Sequence, residues 1–284
     1  MSVTATHDVS GHIGVLGKFI EVVPGVELHY WDVGEGTPLL FVPGWTFTAD
    51  VFVHQLKGLS EDHRVIAIDP RSQGRSTTTA GGNEYATHSA DLKTFIEALD
   101  LNDVVLIGWS AGAAETWGYV RLAGLDRVKA HVCIDLPPRC LSRNEDTDWV
   151  EGTLADISGA VMTMTTRATL REFVKYYAEN VMVQRELSPE DLDWIIGQSE
   201  RTPDWAALSL FSYLMFTDYQ PEVTLLDENR PSLFVIAEGW ADKAKPYIQK
   251  RWKNTRIEVL GGHMMFWEHP EPFNAIIRRF LAGI

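Results

Sequence analysis

Cysteine is scarce in this chain, and positive charge is outnumbered. Only two of the 284 residues are cysteines, Cys133 and Cys140, so we predict no disulfide framework and favour a reducing compartment such as the cytoplasm. Asp and Glu number 39 against 25 Lys and Arg, which gives a formal net charge of −14. Nucleic acids and anionic membrane surfaces attract basic proteins, so we expect neither as a partner.

Long apolar runs are also missing. No run approaches the roughly 20 residues that a membrane-spanning helix needs, and residues 1–12 lack the basic and apolar regions of a signal peptide. We therefore expect no membrane association. The nine histidines show no metal-ligand spacing, and we expect neither a metal nor another cofactor. The oligomeric state is left open, with a homodimer as one option.

Short apolar runs of strand length alternate with stretches of helical periodicity over the first half of the chain. A hairpin is predicted around Pro24-Gly25, followed by buried strands and by helices on either side of them. The predicted strands are 18–22, 26–33, 39–42, 65–68, 104–107 and 128–134. Alternation of this kind indicates a parallel sheet with crossover helices.

The alternation stops near Pro138 and resumes at about residue 228. Between them the pattern predicts helices only, two of which begin at Ser188-Pro189 and Thr202-Pro203, with the hydroxyl residue as N-cap. We therefore predict a core made of residues 1–138 and 228–284, interrupted by a helical cap at 139–227. The cap is rich in aromatic residues, which mostly suits packing but also suggests a small, apolar substrate.

The segment Gly108-Trp109-Ser110-Ala111-Gly112 lies between a predicted strand and a predicted helix. Gly-x-Ser-x-Gly in that context is typical of a nucleophile elbow, a tight turn that exposes the serine hydroxyl. The two glycines leave the backbone the room that such a turn needs. Ser110 is therefore the candidate nucleophile, and an idle serine in an ordinary turn is the alternative.

A serine hydroxyl needs a base, and the base needs an acid that orients it. His263, in the loop that follows the last predicted strand, is the best candidate base. Two acids are candidates: Asp135 directly follows the strand 128–134, and Asp242 lies in the loop after the strand 233–237. Asp135 is favoured over Asp242, but both stay open at this point.

An ester substrate also needs donors for the oxyanion that forms during attack. The backbone N–H of Ala111, directly after the nucleophile, is one candidate, and that of Trp45, in the loop after the strand 39–42, is the other. The indoles of Trp45 and Trp109 are candidates for lining the substrate pocket, with packing as an equal alternative.

These motifs together resemble the α/β-hydrolase superfamily over about residues 19–281. The matching segments are 42–45, 69–76, 108–112 and 261–263, and Pro43 and Ser72 depart from the usual residues. The resemblance implies a mostly parallel eight-stranded sheet flanked by helices, with an inserted helical cap. In the segment after Ala237, no aspartate stands where the family usually has one, because Asp242 is displaced along the chain. In zearalenone-type lactonases and haloalkane dehalogenases the acid follows the strand that Asp135 follows here, which favours Asp135.

The resemblance implies hydrolysis of a carboxylic ester or lactone by Ser110, His263 and Asp135. A serine at the elbow argues against dehalogenases and epoxide hydrolases, which need a carboxylate there. Cofactor-free dioxygenases of 3-hydroxy-4-quinolones are the alternative, because they share a Pro-Gly-Trp loop and a His/Asp pair with the acid after the same strand. In those enzymes histidine deprotonates the substrate. A non-catalytic receptor on the same fold is the least favoured hypothesis.

Overall fold

A computed structural model describes residues 9–143 and 148–284, and a single eight-stranded sheet lies at its centre. The strands stand in the order β1-β2-β4-β3-β5-β6-β7-β8. β1 and β2 pair antiparallel, as do β2 and β4, and the five remaining pairs are parallel. The strands are β1 (Lys18–Val23), β2 (Val26–Val33), β3 (Pro38–Val42), β4 (Arg64–Ile68), β5 (Val104–Trp109), β6 (Val128–Ile134), β7 (Ser232–Ile236) and β8 (Arg256–Val259).

Helices cover the sheet. They are α1 (Val9–Ile13), α2 (Val53–Gly58), α3 (Tyr85–Ala98), α4 (Ala111–Ala123), α5 (Leu154–Thr163), α6 (Arg167–Tyr177), α7 (Pro189–Ser199), α8 (Asp204–Phe216), α9 (Gln220–Asn229), α10 (Ala241–Arg251), α11 (Met265–Glu268) and α12 (Pro270–Leu281). Short 3-10 turns span Ala49–Phe52 and Glu238–Trp240, and a π-helical turn spans Ala178–Met182. The predicted mostly parallel sheet flanked by helices is confirmed.

β5 is the central strand of the site, and all six of its residues are buried. Leu106 packs into one apolar core and Ile107 into the core on the other face of the sheet, as the two-residue period of a strand requires. β5 pairs parallel with β3 on one side and with β6 on the other. The carboxyl ends of the three strands therefore meet at one edge, directly before Pro43, Ser110 and Asp135.

Helices α5 to α9 and the π-helical turn lie between β6 and β7. The predicted N-cap at Ser188 is confirmed, because its side chain accepts a hydrogen bond from the Asp191 N–H. The predicted N-cap at Thr202 is wrong. Pro203 occupies the cap position, and the Thr202 hydroxyl instead donates to the Thr46 carbonyl at 3.0 Å, which joins this segment to the loop after β3. The cap boundaries at 139 and 227 stay a prediction. Within the described residues, no helix combines the length and apolar character needed to cross a membrane.

The central strand generates a stability prediction. Leu106 on β5 is 0% exposed, and truncation to alanine would remove buried methyl groups and leave a cavity. We expect Leu106→Ala to lower the free energy of unfolding by about 3 kcal/mol. Leu122→Ala on α4 is the matched control because Leu122 is 53% exposed, and we expect a change within about 0.5 kcal/mol. Urea denaturation measures both, and equal losses would contradict the assignment of β5 to the core.

Candidate active site

Ser110 occupies a tight turn between β5 and α4. Its backbone φ of 50° and ψ of −128° lie in a region that non-glycine residues rarely adopt. The turn is secured from both sides: the Ser110 N–H donates to the Ile134 carbonyl at 2.7 Å, and the Ser110 carbonyl accepts from the Ala113 N–H at 2.8 Å. The strained conformation projects a side chain that lines a cavity at the sheet edge.

The glycines around Ser110 are required by close approach. A Cβ at Gly112 would lie 2.2 Å from the Val42 carbonyl oxygen, because α4 begins directly against the end of β3. A Cβ at Gly108 would lie 2.4 Å from the Ala113 backbone. Val42 and Gly108 are paired across β3 and β5, so neither can move away without disturbing the central strands.

His263 lies in the loop after β8, with its ring beside Asp135. Its Nδ1 is 2.6 Å from Asp135 Oδ2, and the two residues are 4% and 2% exposed. An Nδ1–H that donates to this carboxylate leaves Nε2 as the free acceptor. The Trp109 indole N–H donates to the His263 carbonyl at 2.8 Å, so the residue before the nucleophile also holds the loop of the histidine.

Asp135 is held between the ends of two neighbouring strands. It follows β6 with a φ of 54°, and its N–H donates to the Val235 carbonyl at 2.9 Å. Its Oδ1 accepts from the Ala237 N–H at 2.9 Å, which leaves Oδ2 for His263. Asp242, the other candidate acid, is exposed in the first turn of α10, and among the described residues no contact joins it to His263.

A second set of contacts reaches the His263 loop from the helical segment. The His263 N–H donates to the Val181 carbonyl at 3.1 Å, and the Met264 N–H donates to the Met182 carbonyl at 2.6 Å. Both carbonyls belong to the π-helical turn, a geometry that recurs at functional sites. The Tyr177 ring, just before it, lies edge-on to the His263 ring at 5.6 Å. Sequence analysis did not identify these residues, because a π turn leaves no distinct periodicity.

The loop after β3 lies against the elbow. A Cβ at Gly44 would be only 3.2 Å from the Ser110 Cβ, so the neighbouring Trp45 backbone is close to the nucleophile. The N–H groups of Trp45 and Ala111 make no backbone hydrogen bond within the described residues, and their role as oxyanion donors stays a prediction. The Trp45 indole N–H donates to the Ala207 carbonyl of α8 at 2.7 Å, which anchors the loop to the helical segment.

Ser110 and His263 open into a common cavity. The space in it that is open to a water-sized sphere is about 190 Å³, which is smaller than most drug-sized ligand sites and suits a small molecule. The lining is mainly apolar, and its aromatic members are Trp45, Phe47, Trp109, Phe173, Tyr177 and Phe211. The predicted pocket residues Trp45 and Trp109 are thus in the lining, and the indole of each also makes the hydrogen bond described above.

Glu151 is the unexpected member of this lining. Burial raises the pKa of its carboxyl to about 6; nearby Asp135 also raises the pKa, whereas His263 lowers it. Sequence analysis missed Glu151, because the segment between β6 and α5 has no periodicity or motif that would point its side chain at the site.

A family model described as the alpha/beta hydrolase fold matches residues 37–270, and the chain belongs to this family. A putative non-heme chloroperoxidase of Synechocystis sp. is 28% identical over 276 residues, which cover 90% of this chain and 95% of the relative.

Two solved structures show the same fold. An esterase from Exiguobacterium antarcticum matches with a TM-score of 0.83 and 21% identity, over 94% of this chain and 100% of the other. An enol-lactonase from Burkholderia xenovorans matches with a TM-score of 0.75 and 18% identity, over 93% and 100% of the two chains. The names of these proteins cover different reactions, so the family alone does not define the chemistry.

The elbow geometry predicts a severe effect of one methyl group. Gly112→Ala would force a Cβ into the Val42 carbonyl, and we expect it to lower the free energy of unfolding by about 3 kcal/mol. Gly159→Ala is the matched control, since a Cβ at this exposed position of α5 meets nothing within 4 Å. There alanine should raise stability by about 0.5–1 kcal/mol. Thermal unfolding measures both variants, and a tolerated Gly112→Ala would refute the close approach.

Proposed function

We propose that this protein hydrolyses a carboxylic ester or lactone of an apolar or aromatic small molecule, with Ser110 as nucleophile, His263 as base and Asp135 as the orienting acid. One observation carries the proposal: the buried 2.6 Å bond between His263 Nδ1 and Asp135 Oδ2 lies at the cavity that Ser110 also lines. The esterase and enol-lactonase names among the structural neighbours are consistent with it.

In the proposed reaction, Ser110 Oγ attacks the substrate carbonyl while His263 Nε2 takes the hydroxyl proton. The carbonyl π electrons move to the oxygen, and the N–H groups of Trp45 and Ala111 stabilise the resulting oxyanion. Collapse of the intermediate breaks the carbon–oxygen bond, and the leaving alkoxide takes the proton from His263. Water then repeats the sequence on the acyl-Ser110 ester and releases the acid. Asp135 stabilises the imidazolium through both halves.

One observation keeps the dioxygenase alternative as a second candidate. Ser110 and His263 line the same cavity, yet no hydrogen bond joins their side chains, whereas the His263–Asp135 pair is tightly bonded. A pair without an engaged serine suits direct deprotonation of a 3-hydroxy-4-quinolone. Oxygen uptake with release of carbon monoxide from an alkylquinolone would favour this candidate over hydrolysis.

The role of Ser110 is tested without a known substrate. A serine-directed organophosphate should add the mass of one adduct to the native protein and none to Ser110→Ala, because only an activated hydroxyl reacts. Ser158→Ala removes an exposed hydroxyl from α5 and should label normally. Turnover of an aryl ester should fall by about 10³-fold or more in Ser110→Ala. Intact-mass spectrometry decides, and equal labelling of native protein and Ser110→Ala would overturn the assignment.

The acid is tested by two equal substitutions. Asp135→Asn keeps an oxygen for the Ala237 N–H but presents an amide to His263, which favours the wrong tautomer; we expect kcat to fall by about 10⁴-fold. Asp242→Asn changes an exposed side chain and should stay within about twofold. Steady-state kinetics on one aryl ester compares them. A larger loss of kcat in Asp242→Asn than in Asp135→Asn would identify Asp242 as the acid.

A further inference from the structure

The cavity contains a carboxylate that the proposed reaction does not use. Glu151 lies between β6 and α5, and its N–H donates to the Cys140 carbonyl at 2.9 Å. A bridge between Leu141 and Gly152 fixes the backbone on either side. The Glu151 side chain therefore lines the cavity from a defined position. It comes from a different segment of the chain than the turns that carry Ser110 and His263.

The Glu151 carboxylate has no partner within the described residues. No side chain or N–H group of the described residues donates to it, and the cavity lining includes no lysine or arginine. Asp156, the other carboxylate in the lining, is exposed and accepts hydrogen bonds from the Thr153 N–H and hydroxyl. Glu151 is half-buried, so its unpaired carboxylate loses part of its hydration in the mainly apolar cavity, and a cation that enters with the ligand would offset that cost.

Among the described residues, the titratable groups that interact electrostatically with Glu151 are His263, Asp135, Tyr177 and Cys140, and Asp156 lies in the same cavity lining. Burial raises the pKa of Tyr177 and of Cys140 well above their usual values, so neither becomes charged near neutral pH. Because the pKa of Glu151 is raised to about 6, its carboxyl is neutral below that pH and negative above it. At pH 7 to 8 the cavity thus presents a negative charge.

Aromatic rings complete the surroundings. The ring of Trp45 lies 5.9 Å from that of Phe173 and 5.4 Å from that of Phe211, in edge-to-face geometry, and Phe173 stacks on Tyr177 at 6.1 Å. Aromatic faces attract cations, and a quaternary or protonated amine retains enough apolar surface to suit such a lining. A carboxylate among rings is a combination that attracts ammonium groups and repels carboxylates.

We propose that Glu151 makes the cavity selective for substrates that carry an ammonium group close to the ester or lactone bond. This specificity role rests on the proposed hydrolase function. Glu151 binds and discriminates in this proposal, whereas the bond-breaking steps stay with Ser110 and His263.

The test uses two esters of the same shape, choline butyrate and 3,3-dimethylbutyl butyrate, which differ in whether a nitrogen cation or a neutral carbon bears the three methyl groups. The measured quantity is the ratio of their kcat/KM values, because the difference in intrinsic reactivity between the two esters is the same in native protein and variant and both esters are cleaved by the same groups. We expect Glu151→Gln to lower this ratio at least tenfold at pH 8. In the native protein the ratio should fall as the pH decreases from 8 to 5, and in Glu151→Gln it should stay flat.

Glu172→Gln is the matched control, because it removes the same charge from the exposed surface of α6. We expect the ratio to change less than twofold in this variant. A loss as large as in Glu151→Gln would attribute selectivity to the overall negative charge and would overturn the assignment to Glu151. Normal turnover of both esters with an unchanged ratio in Glu151→Gln would also overturn it, and would leave the hydrolase proposal intact.

Binding separates the two proposals if neither ester is cleaved. Calorimetric titration of Ser110→Ala with choline and with 3,3-dimethylbutan-1-ol needs no turnover. Choline binding that weakens at least tenfold in Ser110→Ala/Glu151→Gln, with the neutral alcohol unaffected, would support Glu151 even if hydrolysis fails. Equal choline affinity in Ser110→Ala and in Ser110→Ala/Glu151→Gln would refute the assignment.

Discussion

A single buried hydrogen bond, between His263 Nδ1 and Asp135 Oδ2, joins two residues that lie 128 positions apart in the chain. Its geometry depends on the parallel sheet, because the ends of β6 and β7 together hold the carboxylate and the loop after β8 delivers the imidazole. Bonding at Nδ1 leaves Nε2 free toward the cavity, so the sheet determines a tautomer as well as a position. Changes that shift these strand ends would therefore disturb the bond between His263 and Asp135.

Much of the fold was predictable because its signals are local. Buried strands of a parallel sheet appear as short apolar runs, and β5, with all six residues buried, shows this directly. The elbow was equally visible, since the glycines at 108 and 112 are required by contacts within a few ångströms of the turn. The end of β6 pointed to Asp135 because the carboxyl ends of neighbouring parallel strands converge. The roles of Ser110, His263 and Asp135 stay predictions.

The remaining features arise from tertiary contacts that leave no periodic trace. Glu151 enters the cavity because pairing of its segment with residues 140 and 141 turns the side chain inward, and nothing local to it predicts that orientation. Thr202 precedes a proline in a pattern typical of a helix cap, yet Pro203 holds the cap position of α8, and the Thr202 hydroxyl donates to the Thr46 carbonyl in the loop after β3. The start of α8 therefore lies one residue later than the local pattern predicts.

The π-helical turn has a consequence for how a ligand reaches the interior. Two of its carbonyls, from Val181 and Met182, hold the backbone of the loop that bears His263, and Trp45 and Thr46 are tied to the same helical segment through Ala207 and Thr202. Lifting that segment away as a rigid lid would break these bonds and would disturb both the loop of His263 and the loop after β3. A ligand that enters without breaking these bonds must therefore reach the cavity while the helical segment stays in place.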